Sequence, residues 1–331
     1  MSGKVTGVRA TPTADATDPK GPSIPKAGNS SSKLLLAYAV ASFIAVASGC
    51  FIAAQVGLGV SLWLRNLAAW AIGAVLAVAI SRISLEIVVR TAMVLTPLAL
   101  LASLLGAGQQ GVHRWISLGA FQLHPAFLLL PLATLAFAGA VGSGRLWAQS
   151  AMLVTATALY LQPDASQATA FAAAMLVALG GTQFRPMSAV ATGLGVAGIA
   201  ALSWFRPDPL APVAEVESIL SLAQTISPVL AVCCALFLLA SAIVPWAVCR
   251  NANPAASAAA RALSTYFLVC AAMPFVGAFP VPLLGMGVSP VLGFCLGVGA
   301  LAASCKHAPG ATEPPAAFVS RAATRTLAKK R

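Results

Sequence analysis

Residues 111–125, GVHRWISLGAFQLHP, form a polar and aromatic stretch set between two long apolar runs. A simple turn between packed helices has no need for Arg114 beside Trp115. A membrane boundary does, because an indole anchors at headgroup depth and a planar guanidinium can reach a phosphate. On local chemistry the pair reads equally as an interfacial anchor and as a contact to a phosphorylated ligand. Both readings make the flanking runs membrane spans.

Composition supports this. Of the 331 residues, 59% are hydrophobic and 8% charged, with mean hydropathy +0.88. No soluble globule could hide that much apolar surface, so the solvent is lipid. Cut at polar and Gly/Pro clusters, the sequence yields ten apolar runs, near 34–57, 61–81, 86–107, 125–142, 146–161, 166–184, 187–205, 218–248, 260–279 and 288–305. The expected fold is all-α: a polytopic membrane protein of about ten transmembrane helices, occupying residues 34–305.

The net charge of +12 would suggest nucleic acid in a soluble domain, but here its meaning depends on where the basic residues fall. With the first residue in the cytoplasm, every Lys and Arg except Arg65, Arg114 and Arg206 falls on the same side. The positive-inside rule therefore predicts both termini cytoplasmic, and no nucleic-acid partner is expected. Residues 1–33 and 306–331 read as basic cytoplasmic tails, the first disordered, lying at a lipid surface. The run from Leu34 is too long for the core of a cleaved signal.

The seven cysteines lie in or at the ends of apolar runs and read as small packing residues. His113, His124 and His307 form no ligand cluster, so no metal site is expected. Gly193, Gly195 and Gly198 spell GxGxxG inside a membrane run with no preceding strand, which makes them a packing surface, as are Gly293 and Gly297. Residues 161–168, LQPDASQA, place Asp164 at a membrane boundary, where it serves either as a helix cap or as a functional acid. In residues 273–299, Pro280, Pro282, Gly285, Gly287 and Pro290 break an apolar run. Such backbone is tolerated at membrane depth only where protein buries it or a wet cavity receives it, as in a re-entrant segment lining a site.

These three stretches, in this order, resemble the motifs of the SEDS family of membrane peptidoglycan polymerases (FtsW, RodA and SpoVE). Gly111, Arg114, Trp115, Ile116, Leu118, Gly119 and Pro125 match G-x-x-R-W-I-x-L-G-x-x-x-x-Q-P, with His124 in place of Gln. Gln162, Pro163 and Asp164 match Q-P-D-L-G-T. Gly277, Pro280, Pro282, Gly287 and Ser289 fit G-x-P-L-P-x-x-S-x-G-G-S, with one extra residue. The family's Ser, Glu and Lys after Pro125 are replaced by Ala126, Phe127 and Leu130.

The resemblance implies a multi-pass protein of the bacterial inner (plasma) membrane that serves cell division or cell shape. It implies glycan transfer from a lipid-linked donor onto the 4-hydroxyl of lipid II at the outer face. It further implies a class B penicillin-binding transpeptidase as partner. No cofactor of the protein's own is implied, and a divalent cation enters only with the substrate pyrophosphate. The family's essential Asp lies in a T-D-F-I-F-A-like segment, where this chain reads Val216, Glu217, Ser218, Ile219, Leu220 and Ser221. Glu217 is then the catalytic base, with Glu215 as the competing carboxylate. Arg114, Trp115, Gln162, Asp164 and Ser289 are the expected substrate-binding residues.

The shortened loop before Glu217 keeps a second function open, a non-catalytic scaffold or lipid-binding protein of an envelope complex. A transporter is the third reading, disfavoured by the scarcity of intramembrane charges. The ten-span topology is tested by reporter fusions at residue 112 and at the C-terminus, which should give opposite readouts. The same sidedness for both would remove it.

Overall fold

In hydrocarbon, a helix is the one open segment that pairs its own N–H and C=O groups, and each apolar run folds accordingly. The computed structural model describes residues 27–119, 121–141, 145–181 and 186–306. Its helices are α1 (Ala27–Gln55), α2 (Val60–Ile80), α3 (Leu85–Leu104), α4 (Pro125–Ala140), α5 (Leu146–Leu161), α6 (Ala165–Gly180), α7 (Met187–Ser203), α8 (Ala214–Glu217), α9 (Ile219–Ile226), α10 (Pro228–Cys249), α11 (Pro254–Ala272) and α12 (Val288–Ser304). The one sheet is a hairpin of β1 (Ile116–Leu118) and β2 (Phe121–Leu123).

Five segments, Ser30–Gln55, Val60–Ile80, Leu85–Leu104, Pro228–Cys249 and Pro254–Phe275, are long and apolar enough to cross a bilayer. The other apolar helices, α4 to α7 and α12, have 16 or 17 residues, about 24 Å at 1.5 Å per residue. Large side chains such as Leu36 of α1, Val75 of α2, Leu194 of α7 and Val229 of α10 are exposed, as lipid-facing surfaces require. The chain is a multi-pass membrane protein.

Three boundaries differ from the sequence expectation. The 218–248 run is two helices, α9 and α10, because Pro228 has no N–H to continue the ladder and Ser227 before it is extended. The ninth long helix starts at Pro254 rather than near 260, capped by Asn253, whose side-chain oxygen accepts from Ala256 N at 2.8 Å. Residues 27–33, expected within a disordered tail, already belong to α1. The rest of the two tails, with Lys4, Arg9, Lys20, Lys26, His307 and the basic C-terminal residues, lies outside the described residues, as does Arg185.

Helix α12 is central, packing on α4 and α2 and touching α1, α3 and α11. Its glycines allow this. A Cβ on Gly293 would collide with the Phe127 carbonyl, one on Gly297 would lie 2.8 Å from Pro131 Cβ, and one on Gly299 2.6 Å from Ala77 O. Phe294 stacks on Phe267 of α11 with ring centroids 3.9 Å apart. The GxGxxG glycines behave as packing positions at Gly193 and Gly195, each against a leucine, while Gly198 faces open space. Cys249 and Cys305, at the ends of α10 and α12, bring their sulfurs to 3.2 Å, a pairing that sequence spacing did not indicate.

Gly293→Ala should therefore destabilise the bundle by ~1–3 kcal/mol through overpacking. Gly198→Ala should leave stability unchanged or slightly higher, since alanine favours helix. Thermal unfolding in detergent reads both, and equal midpoints would contradict this account of α12.

Candidate functional site

After α3 the chain reverses at Gln109–Val112, where the two residues exchange backbone hydrogen bonds of 2.9 and 2.8 Å. Gln110 (φ 51°) and Gly111 (φ 83°) both take positive φ, as a type I′ turn requires, which accounts for glycine at the head of the motif. Strands β1 and β2 then pair Ile116 with Leu123, Ser117 with Gln122 and Leu118 with Phe121. Gly119, at φ 61°, opens the turn between them, and Pro125 starts α4.

Arg114 projects from this hairpin onto the end of α5. Its Nε donates to Gln162 O at 2.9 Å, and Nη2 donates to Pro163 O and to Asp208 Oδ2, the latter at 2.7 Å. Its side chain is 11% exposed, while that of Asp208 is 34% exposed. Nη1 has no partner among the described residues. Gln162 is buried, with Nε2 donating to Leu100 O (2.9 Å) and Ser103 Oγ (2.7 Å).

Asp164 is the N-cap of α6. Its Oδ1 accepts from Gln167 N at 3.2 Å and from Ser166 Oγ at 3.0 Å, which makes it the helix cap the sequence allowed. Its Oδ2 faces His124 Nε2 at 3.4 Å. His124 is wedged edge-on against Trp115 and Phe127, with ring centroids at 5.8 and 5.2 Å, and its backbone N–H donates to Ser289 Oγ at 3.0 Å. Arg114, Trp115, Gln162, Asp164 and Ser289 thus meet in one network whose hub, His124, was not among the expected site residues. The only sequence signal for it was its place where the resembled motif has Gln.

Burial pushes His124 from 6.5 down to about 4. The Asp164 carboxylate pulls the other way, and the Arg114 cation adds to the depression. The imidazole is neutral at physiological pH.

Glu217 ends α8, and its carboxylate turns back to accept from Val213 N–H at the start of that helix. It makes no hydrogen bond to the His124 network. Partial burial raises its pKa; the Val213 N–H opposes this, and the charges of Asp208 (raising) and Arg114 (lowering) also reach it. The backbone of α8 is fixed by the broken stretch before α12: Val281 N donates to Val216 O at 3.0 Å and Met286 N to Glu215 O at 2.9 Å. That stretch is non-helical and buried over residues 281–286, as the sequence foresaw, and Asn66 Nδ2 donates to Gly285 O at 2.8 Å.

Arg65 and Arg206 are the two other arginines expected on the same face as Arg114. Arg206 lies over the Tyr160 ring, 5.1 Å from its centroid, and its Nη2 donates to Leu161 O at 3.5 Å beside the Arg114 contacts, while Arg65 is exposed on α2. Among the described residues no three His, Cys, Asp or Glu side chains converge as metal ligands.

No protein-family model and no curated protein matches the chain. Among solved structures, the rod shape determining protein RodA of Thermus thermophilus superposes with TM-score 0.59 at 19% identity, covering 81% of this chain and 95% of that one. The chain has the RodA fold. An aspartate-to-alanine variant of RodA gives TM-score 0.62 at 18% identity, covering 81% and 96%. A peptidoglycan synthase complex, described as coordinating polymerization and crosslinking, gives 0.57 at 18% identity with the same coverage.

His124 supplies a pH test of the network in this RodA-fold chain. Unfolded, its imidazole takes a proton near 6.5; folded, only near 4. Its contribution to stability is therefore complete above about pH 6.5 and lost as pH falls toward about 4. The thermal midpoint should drop over that window, and His124→Gln, which cannot titrate, should flatten part of the drop. An identical pH profile in the two proteins would show that His124 is not buried as described.

Proposed function

We propose that this chain is a divergent SEDS protein of the bacterial plasma membrane, with both termini cytoplasmic, that polymerises lipid II at its outer face. The observation that carries the reading is the meeting of three separated motif segments at one end of a RodA fold, with Glu217 held within the field of Arg114 and Asp208.

In this reading Glu217 is the general base. The 4-hydroxyl of the acceptor attacks the anomeric carbon of the donor, its proton passes to the Glu217 carboxylate, and the bond to pyrophosphate breaks. Partial desolvation makes that carboxylate a better proton acceptor than a fully hydrated one. Arg114 turns its unpartnered Nη1 to the departing pyrophosphate, with Trp115 at the headgroup boundary. Gln162, Asp164 and Ser289 are buried under the hairpin, so their part is to position Arg114 and His124 rather than to touch the lipid. Any divalent cation arrives with the pyrophosphate.

The expected partner is a class B penicillin-binding transpeptidase, in division or in cell-shape maintenance. The likeness to a synthase complex that couples polymerization to crosslinking supports this.

A second reading, a non-catalytic lipid-binding scaffold, is favoured by one observation: the carboxylate of Glu217 and the guanidinium of Arg114 both spend hydrogen bonds on backbone groups. Polymerisation of lipid II by the purified protein with a transpeptidase partner separates the two. Glu217→Gln should lower the rate by ~100-fold or more with lipid II binding retained, and Glu215→Gln should cost less. The wild-type rate should rise with pH through a titration above the ordinary carboxylate range, and the Gln variant should lack that limb. Robust polymer from Glu217→Gln would reject the base, and no polymer from wild type with its partner would favour the scaffold.

A further inference from the structure

The loop that follows α7 is moored on the end of α5 by two arginines. Leu161, Gln162 and Pro163 are consecutive there, and all three carbonyls accept: Leu161 O from Arg206 Nη2, Gln162 O and Pro163 O from Arg114. Two residues after Arg206, Asp208 places Oδ2 2.7 Å from Arg114 Nη2. Its other oxygen, Oδ1, accepts from Leu210 N at 3.2 Å, a side-chain turn that aspartate favours. Pro207 and Pro209 flank it, and their rings fix φ on both sides, so little chain freedom is lost when the carboxylate is presented to Arg114. Asp208 is a held counter-ion.

The two members of this ion pair are unequally fixed. Arg114 has its guanidinium nearly buried and bonded to two carbonyls, and drawing it away would strip a desolvated cation of those partners. Asp208 has the more exposed side chain, so water takes up its carboxylate at small cost once it is released. A fixed guanidinium with a releasable acid is an anion seat that already holds an anion. A phosphate offers the same two acceptor oxygens as a carboxylate, and a pyrophosphate adds a second charge and a reach to Nη1, which has no partner among the described residues. The charges of Asp208 and Arg114 both reach the Glu217 carboxylate, so an exchange at this seat takes place within the field of that acid.

Given Arg114 as the pyrophosphate contact of the proposed polymerase, we propose that Asp208 is a resident competitor for that contact: a lipid-linked pyrophosphate binds by taking Nη1 and displacing the Asp208 carboxylate from Nη2. The cost of displacement is the same for every anion that takes Nη2, so Asp208 leaves their ranking unchanged and lowers all their affinities. A phospholipid with one phosphate exchanges one single charge for another and gains little. The seat therefore stays closed to the abundant anionic lipids of a membrane and opens to the more highly charged headgroup.

The test is native mass spectrometry of the full chain in detergent, titrated in turn with undecaprenyl pyrophosphate and dioleoyl phosphatidylglycerol, with the thermal midpoint of each variant measured beside it. Asp208→Asn, whose amide oxygen can still accept from Leu210 N, should tighten undecaprenyl pyrophosphate by about 3- to 10-fold, as for the loss of one partly hydrated ion pair, and bring phosphatidylglycerol up by the same factor. Glu215→Gln removes an equal charge from the same end of the molecule without removing an ion pair to Arg114, and should leave both affinities within about twofold. Unchanged binding by Asp208→Asn, or equal tightening by Glu215→Gln, would overturn the proposal. Weaker binding by Asp208→Asn with a lowered midpoint would make Asp208 a structural pin and overturn it as well, as would no binding of undecaprenyl pyrophosphate to either wild type or Asp208→Asn. Tighter binding by Asp208→Asn in a chain that makes no polymer would keep the competitor and remove the polymerase. Polymer from wild type with unchanged binding by Asp208→Asn would do the reverse.

Discussion

The hairpin end of this molecule is pinned chiefly by one guanidinium. The last carbonyls of a helix have no intrahelical partner, and at the end of α5 two carbonyls, those of Gln162 and Pro163, accept from Arg114. The same side chain reaches Asp208 in the loop after α7, so three segments with no other shared backbone ladder are pinned by one residue. An exposed ion pair of this kind would contribute little. Here the arginine side is nearly buried, and the fork geometry engages two kinds of acceptor at once, which a lysine ammonium cannot reproduce.

That placement changes what the motif residues can do. Gln162 and Asp164 look like polar site residues in the sequence, yet each hydrogen-bonds inward, one to α3 and the other to the first turn of α6. His124 fills the gap between Asp164 and Trp115 as a neutral ring. Its neutrality matters, because charging an imidazole buried this deeply costs more than Asp164 at 3.4 Å returns, and the Arg114 cation adds to the cost. The network is a support for the hairpin.

Much of the fold was legible because lipid imposes a simple rule: an apolar run of sufficient length is a helix. Each of the ten runs is largely helical among the described residues, and the broken stretch before α12 is buried non-helical backbone, as its prolines and glycines implied. Less legible were features decided by single residues. Pro228 splits one run because a missing N–H outweighs its hydrophobicity, and Asn253 starts α11 early by capping it. The hairpin hides in 111–125 because its strands have three residues each, too short for an alternating pattern. Of the site, the motif residues were legible as a set but not their partners. Arg114 with Asp208 spans 94 positions, and no spacing rule connects them.

The location of Glu217 follows from the far end of the chain. Helix α8 has only four residues and cannot hold itself, so its carbonyls are taken up by Val281 N and Met286 N of the broken stretch. Gly285 makes this possible, since a Cβ there would lie 2.5 Å from Val216 O. Gly49 does the same from below, where α1 meets the Leu284 carbonyl too closely for any side chain. The broken stretch is thus clamped between α1, α2 and α8, and it holds the short helix that carries Glu217 at the end of the connection from α7. The connection and this rigid, glycine-permitted inner segment act together to hold Glu217 within the field of Arg114.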